Sequence, residues 1–568
     1  MSEKTPSTET PSTETPSEVT LAGLLERRAG DDRPGLIFED RTWSWREYVA
    51  ECRARAAALD ARGRNLHVGA IFDNVPELLF LLGGAALSGH VLVALNTTRS
   101  AAELARDADA THVDLILHEP GHPRHETLAA EVAALRAPGA PPPGVSDRVS
   151  DHVSDRGPDR GSQDGLTMLI FTSGTSGRPR AVRITQRKIA VPGTSLAAML
   201  SPDDVVYCSM PLFHSGAIMA AYAPAVASGA ALVLRRRFSA SGLMPDVRRH
   251  GVTYLHYVGK ALSYVLAVPE TPGDADNTLR IAFGNEGSAV AIRRFAERFG
   301  CHVVDGFGST ETGVTITPDP SGPPGSLGRL PGGVEIRDPF TGRRCPPALF
   351  EDGRLLNAGE AVGELVNTRG AGLFDGYYDD PDADRERVRN GAFWSGDLAY
   401  ADAAGHVFFA GRGTERLRVD GENLAVAPIE AVLREFPGVV EAVVYPVPDA
   451  VAGDQVMAAL VLAGAFDPEA FAVFLTSRGD LGAKAAPRYV RISGELPQTA
   501  SHKVVKRVLA EQAWHTGDTG GTTGDPVWWR PPGQDAWRPL TPADITRIDD
   551  EFIRNGRRHP WSARGLHP

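Results

Sequence analysis

Residues Thr167–Val182 read TMLIFTSGTSGRPRAV: an apolar strand, a run of small hydroxyl and glycine residues, then a basic segment. Gly174 and Gly177 let the backbone turn without a Cβ, so consecutive N–H groups can face one anion, while Thr172, Ser173, Thr175 and Ser176 supply hydroxyl donors. Phosphate suits such a cradle. No Gly-Lys-Ser/Thr follows the glycines, so this is not a Walker loop. Standing alone, the same composition also makes an ordinary solvated turn, and the motifs elsewhere in the chain decide between the two.

Outward from this stretch, a chain of 568 residues exceeds one compact core and implies roughly two to four domains. With 42% hydrophobic and 23% charged residues it has a soluble globular composition. A net charge of −12 argues against a nucleic-acid partner, which would call for a basic face. Lysines are few (Lys4, Lys188, Lys260, Lys484, Lys503 and Lys506), so a lysine inside a motif is informative. Cys52, Cys208, Cys301 and Cys345 are scattered, without disulfide-framework or zinc-ligand spacing. The start lacks a signal-peptide pattern, and no apolar run reaches membrane-spanning length, so the expected location is cytoplasmic with no integral membrane segment.

Residues 1–18, with TPSTE repeats, are expected to be a disordered tail. From residue 19, amphipathic helix patterns such as WREYVAECRARAAALDARG alternate with apolar runs such as HVGAIFD, GHVLVAL and VDLILHE, the mark of βαβ units and a largely parallel sheet. Residues 137–163, with VSDR-type tandems, read as a flexible linker. Short alternating runs over Pro318–Arg369 predict a small β-rich subdomain. The expected fold class is α/β: a large N-terminal domain over 19–410, with parallel or mixed sheets and the β-rich subdomain, then a small α+β C-terminal domain over 411–514. Residues 515–568 form a C-terminal extension, closed by a helix that the pattern Thr541-Pro542-Ala543-Asp544 opens.

Three further motifs carry chemistry. GFGSTETG (Gly306–Gly313) follows the strand HVVD, and open α/β sheets bind ligands beyond the carboxyl ends of such strands. Glu311 there can hold Mg²⁺ shared with nucleotide phosphates, or be a solvated turn residue. Asp397 in WSGD and Arg412 after Gly411 bracket a hairpin turning at Ala403–Gly405; they can meet a ribose diol, or form a surface ion pair of little energy. PQTASHK ends in Lys503, a compact cation able to meet both a carboxylate and an α-phosphate, or an exposed lysine at a helix start.

In this order and spacing, TSGTSGRPR, GFGSTETG, WSGDLAYADAAGHVFFAGR and PQTASHK resemble the adenylate-forming superfamily of acyl-CoA synthetases, peptide-synthetase adenylation domains and luciferases, over about Val19 to Leu509. PLFHSGA, VTYLHYVGKALSYVLAVPETP, LRIAFGNEGS and VDGENLAVAPIE look like the fatty-acid transport protein and very-long-chain acyl-CoA synthetase branch, closest to actinobacterial fatty-acid–CoA ligases. The resemblance implies phosphate binding by Thr172, Ser173, Gly174, Thr175, Ser176 and Gly177. It implies Mg²⁺ at Glu311, a phosphate contact at Thr310, adenine against Phe307, nucleotide binding at Gly308, and ribose at Asp397 and Arg412. Lys503 is the implied catalytic lysine, with Glu311 and Arg180 beside it; His214, Tyr257, Gly259, Gly284 and Asn285 line the acyl side. The implied chemistry joins a carboxylic acid to ATP as acyl-adenylate, releasing pyrophosphate. The C-terminal domain then rotates about a hinge near Glu415, brings Gly421-Glu422-Asn423 to a thiol channel, and coenzyme A displaces AMP.

This chain departs from the family with Arg180 where Lys is usual, Glu415 where Asp is commoner and His502 where Gly precedes the catalytic lysine. Lys260 and Glu286 add charges near the acyl side. These features leave two alternatives: an enzyme that activates nitrite with ATP and diazotises an aryl amine in specialised metabolism, and a nucleotide-binding protein without turnover.

Overall fold

The computed structural model describes residues 19–136, 162, 164–172, 179–259, 261–287, 289–319, 321–323, 325–351, 354–412, 417–419, 422–424, 426–450, 454–478, 481, 485–498, 504–516, 524–534 and 536–555. The tail over 1–18, nearly all of the linker over 137–163, and Glu415 and Gly421 lie outside them.

The chain divides into two compact units. The first runs to Asp305 and takes in Thr310–Thr312 and Leu373–Asp384. Its strands are β1 (Pro34–Phe38), β2 (Arg41–Ser44), β3 (His67–Ile71), β4 (Val91–Ala94), β5 (Leu115–His118), β6 (Leu166–Thr172), β7 (Arg180–Thr185), β8 (Val205–Cys208), β9 (Ala231–Leu234), β10 (Tyr254–Val258), β11 (Ile281–Asn285) and β12 (His302–Asp305). One sheet has the order β5-β3-β4-β6-β7 and the other β12-β11-β10-β8-β9-β1-β2. Pairing is parallel except at β6–β7 and β1–β2. Continuous apolar runs explain this: β3, β4 and β9 are buried at every position, as strands covered on both faces must be.

Helix starts follow local chemistry. The helix Trp45–Asp60 is opened by a capping box in which Ser44 and Glu47 each accept the other's backbone N–H. It packs on the largely apolar helix Pro76–Ser88, where small size decides the approach: a Cβ at Gly83 would stand 2.3 Å from Cys52 Sγ.

The second unit comprises Gly306–Ser309, Gly313–Gly372 and the chain from Arg385. Its antiparallel sheet has the order Gly328–Arg329, His406–Arg412, Ala392–Ala401, Gly363–Asn367, Val334–Arg337. The hairpin expected at Ala403–Gly405 is present, closed by Gly405 N–H donating to Asp402 O. A five-stranded sheet follows: Val439–Pro448, Asp454–Leu462, Tyr489–Ile492, Val527–Trp529 and Arg538–Pro539. Its last two strands come from residues beyond 514. The helix Pro542–Arg554 starts at the expected capping box, with Asp544 N–H donating to Thr541 Oγ1 at 3.2 Å, and buries Ile548 and Phe552 against Leu509, Trp514 and Trp529. Residues 527–554 thus complete a core that the preceding strands leave open.

Truncating a fully buried aromatic there removes both its transfer energy and its packing contacts. Phe552→Ala is expected to lose about 3–5 kcal/mol of local stability, read by hydrogen exchange of the Tyr489–Ile492 strand. Exchange unchanged within error would mean that this helix does not support the sheet.

Candidate active site

The opening stretch forms the hairpin β6–β7. The strands pair antiparallel out to Thr172 opposite Arg180, with Thr172 Oγ1 donating to Arg180 O at 3.5 Å. Ser173, Gly174, Thr175, Ser176 and Gly177 lie outside the described residues, as do Lys260 and Lys503.

A second segment lies along β7. Tyr378 N–H donates to Ala181 O at 2.7 Å and Arg183 N–H to Gly376 O at 3.1 Å. This places Tyr377 beside the hairpin, where its ring lies 5.4 Å from the Arg180 guanidinium. Its phenol donates to Glu311 Oε1 at 2.9 Å. Arg180 Nε is also 3.9 Å from Asp380 Oδ2. Glu311 and Arg180, more than a hundred residues apart, therefore meet on one tyrosine.

Other groups of the first unit connect to Glu311 through the chain, as Thr310 does, or through charge, as Lys188 does. Thr310 Oγ1 is 2.9 Å from Ser215 Oγ, at the start of the short helix after His214. Lys188, on the helix Gln186–Ala197, is fully buried, and its Nζ has no hydrogen-bond partner. Burial pushes its pKa down to about 8, against the pull of Asp375 and Glu311. Asp375 accepts from Thr185 Oγ1 at 2.6 Å and pairs with Arg187. Lys188 stood out in the sequence only as a scarce lysine. Tyr377, Ser215 and Asp375 gave no signal, because what qualifies them is long-range pairing.

The acyl-side candidates gather at the carboxyl ends of β10 and β11. Tyr257 is buried, its hydroxyl donating to Asp305 Oδ2 at 2.6 Å; Gly287 N–H donates to the same oxygen at 2.7 Å. Burial raises the Asp305 pKa to about 6. Gly284 is a packing glycine, since a Cβ there would lie 2.2 Å from Tyr257 O. Gly259, at φ +55°, donates its N–H to Asn285 O at 2.8 Å. His214 stacks obliquely on Phe213, with ring centroids 4.7 Å apart. Glu286 sits in the left-handed region at φ 64°. Asp305 is an addition that the sequence reading missed, although it ends the HVVD strand.

In the second unit, Phe307 exchanges two backbone hydrogen bonds with Ile316, and its ring lies 6.1 Å from Phe409. Around Gly308 space is open, with Thr315 Cγ2 the nearest atom to a Cβ at 3.7 Å. Asp397 is buried on the strand Ala392–Ala401, directly opposite Arg412 in the ladder, and its N–H donates to Ser395 Oγ at 3.0 Å. Only the backbone of Arg412 is described. Arg387 donates to Ser395 O at 2.7 Å, and Glu364 accepts from Gly396 N–H at 2.6 Å, so the two residues just before Asp397 are pinned. The described feet of the Lys503 segment are likewise fixed: Gln498 bridges Val504, and Lys506 Nζ is 2.7 Å from buried Glu430.

The AMP-binding enzyme family profile matches residues 25–378, and the AMP-binding enzyme C-terminal domain profile matches 428–503. The chain is 48% identical over 505 residues to the medium/long-chain-fatty-acid–CoA ligase FadD17 of Mycobacterium tuberculosis, covering 88% of this chain and 96% of that one. It is 42% identical over 552 residues to the steroid-22-oyl-CoA synthetase of Rhodococcus jostii, covering 95% and 98%. Its fold is that of ATP-bound MatB from Rhodopseudomonas palustris, at TM-score 0.72 and 23% identity over 86% of this chain and 98% of that one. With both profiles matched in order and relatives aligned over nearly their whole length, this chain belongs to the AMP-binding enzyme family.

Proposed function

We propose that this chain is an AMP-forming ligase that activates an apolar carboxylic acid, of the fatty-acid or steroid side-chain class, and transfers it to coenzyme A. The observation that carries this reading is the Glu311–Tyr377–Arg180 contact, which fixes a carboxylate and a guanidinium beside the hairpin that a nucleotide's phosphates would meet. The relatives named above supply the substrate class. Activation of nitrite has no counterpart among them.

In this reading the acid's oxygen attacks the α-phosphorus of ATP, pyrophosphate leaves, and the coenzyme A thiol then displaces AMP from the acyl carbon. Thr172–Gly177 and Arg180 bind the phosphates. Glu311, with the hydroxyls of Thr310 and Ser215 nearby, offers the hard oxygen donors that suit Mg²⁺. Bound there, that ion would neutralise phosphate charge as pyrophosphate departs. Tyr377 orients Glu311 by taking one of its oxygens. Asp397 and Arg412 hold the ribose, and Phe307 with Gly308 the adenine. His214, Tyr257, Gly259, Gly284 and Asn285 border the acyl group. Lys503 meets the reacting carboxylate and α-phosphate, and 411–514 is the mobile part that withdraws it about a hinge at Glu415 before the thiol attacks. Positioning and charge stabilisation supply the rate, since the protein forms no covalent bond in either step.

Pyrophosphate exchange is expected with medium- or long-chain fatty acids or a steroid side-chain acid, and AMP release is expected to require coenzyme A; no exchange with any acid would overturn the reading. Removing the Tyr377 hydroxyl takes one hydrogen bond from a carboxylate, worth about 1.5–3 kcal/mol. Tyr377→Phe is therefore expected to lower kcat/KM for ATP by about ten- to a hundredfold, and Glu311→Gln by more. A Tyr377→Phe enzyme with parental kinetics would remove the tyrosine from the mechanism.

The buried Lys188 gives a pH signature. The unfolded lysine keeps its proton up to its ordinary 10.5, while the folded one releases it near 8. Between those values the unfolded chain binds more protons, so stability rises with pH across that window. Lys188→Met is expected to abolish this slope and to stabilise the protein at pH 7 by about 3 kcal/mol, read by urea unfolding at several pH values. It is also expected to slow adenylation, because Glu311 and Asp375 lose their neighbouring positive charge. An unchanged slope would show that Lys188 is not the titrating group.

A further inference from the structure

Away from these groups, the first unit gathers a second set of ionisable side chains. Asp73 follows β3, Glu119 follows β5, and His122 and His125 open the helix Pro123–Leu135, where His122 is the N-cap. The two imidazoles stack at 3.7 Å with 19° between their planes. Both present Nε2 to one carboxylate: His125 Nε2 lies 3.6 Å from Asp73 Oδ1 and His122 Nε2 3.9 Å from Asp73 Oδ2. One ligand atom from each of the three residues falls within a 4.8 Å sphere of the others. In a tetrahedral zinc site, with bonds of about 2.0–2.2 Å, ligand atoms stand about 3.4 Å apart. Closing the cluster onto an ion therefore takes side-chain shifts approaching an ångström, with a rotation of the stacked rings that lets both Nε2 atoms converge.

A second observation points the same way. His125 is buried, and its other nitrogen, Nδ1, has no hydrogen-bond partner; neither has the buried Glu119 Oε2, which faces it at 3.6 Å. Metal-bound histidines characteristically donate their distal N–H to a carboxylate, which fixes the tautomer that leaves Nε2 free to ligate. Here that carboxylate is in place and already oriented, since Arg236 Nη1 donates to Glu119 Oε1 at 2.6 Å.

We propose that Asp73, His122 and His125 form a binding site for a divalent transition metal, zinc being the best match, with Glu119 as the carboxylate behind His125. Two imidazoles and one carboxylate suit zinc and exclude Mg²⁺, which prefers oxygen ligands. The fourth position is open to water. Two existing contacts must adjust, at Arg237 and at His122 Nδ1. Arg237, 71% exposed, holds Asp73 Oδ2 at 3.0 Å and swings into solvent. Arg236, 3.9 Å from Asp73, stays on Glu119. His122 Nδ1, which accepts from His125 N–H at 3.3 Å, releases a donor that already bonds His122 O at 2.9 Å. The ion would staple the helix Pro123–Leu135 to the loop after β3. In that loop, Asn74 holds Met210 O at 2.8 Å and Leu212 N–H at 2.9 Å, just before Phe213 and His214.

The test uses the full chain without a histidine tag, stripped by a chelator, and titrated with Zn²⁺ against a chromophoric competitor; Co²⁺ absorption reports geometry. One zinc per chain is expected, undisturbed by excess Mg²⁺, together with a rise in Tm and a tetrahedral Co²⁺ spectrum. Glu119→Gln is expected to weaken binding about ten- to a hundredfold. His122→Asn is expected to weaken it further; its side chain is 24% exposed, so the variant keeps its fold where a change at buried His125 would not. Arg237→Ser, which frees Asp73, is expected to tighten binding. Zinc binding that is unchanged in His122→Asn, or absent in the parent, would overturn the proposal.

Discussion

The hydrogen bond from Tyr377 to Glu311 is the constraint on which the first unit's candidate chemistry depends. A carboxylate nine-tenths buried needs a partner, and the partner here belongs to a segment paired along the β6–β7 hairpin. One contact thereby couples two turns that the chain order keeps apart. The same tyrosine lies against Arg180, so one side chain touches both a guanidinium and a carboxylate. Arginine suits this place better than lysine, because its planar guanidinium can lie against an aromatic ring while keeping its donors.

Much of the fold was legible because its signals are local. The apolar runs at His67, Val91 and Leu115 became parallel strands, WREYVAECRARAAALD became a helix, and the Thr541–Asp544 pattern became a capping box. Motifs located Glu311 and Asp397 for the same reason: small residues and glycines mark the turns that carry them. Tyr377, Asp305 and Lys188 were not legible as site residues. Each is qualified by what it meets across the fold, and a tyrosine in GLFDGYYDD or an aspartate ending a strand looks like any other. Glycines show the limit from the other side. Gly284 reads from the motif as a pocket residue, yet its lack of a Cβ is required by the approach of the Tyr257 carbonyl, whatever it borders.

The C-terminal sheet teaches a related point about length. Residues beyond 514 read as an appendage because a Gly/Thr-rich stretch interrupts the pattern. Without Val527–Trp529 at its edge, the Tyr489–Ile492 strand would expose one side of its ladder, and Tyr489 would lose the stacked Trp529 ring at 6.0 Å. The composition change is therefore not a boundary between cores, since the described residues on its two sides share one sheet. What a composition change cannot reveal is whether the chain returns to the sheet it has left.

Lys188 sharpens the distinction between stability and function in this fold. An ammonium buried with no hydrogen bond is among the more costly groups a core can contain, and a methionine of similar length would fill the space without that cost. The ammonium faces the Phe374 ring, 5.7 Å from its centroid. Its electrostatic partners are Asp375, which ties the helix start to the Leu373–Asp384 segment, and Glu311. A cation placed behind two carboxylates offsets their mutual repulsion when no other cation is near and weakens their hold when one arrives. With Glu311 as the metal ligand proposed above, that would loosen the hold on a metal–nucleotide pair, and a site that releases pyrophosphate and AMP on every turnover would gain from it what the core loses in stability.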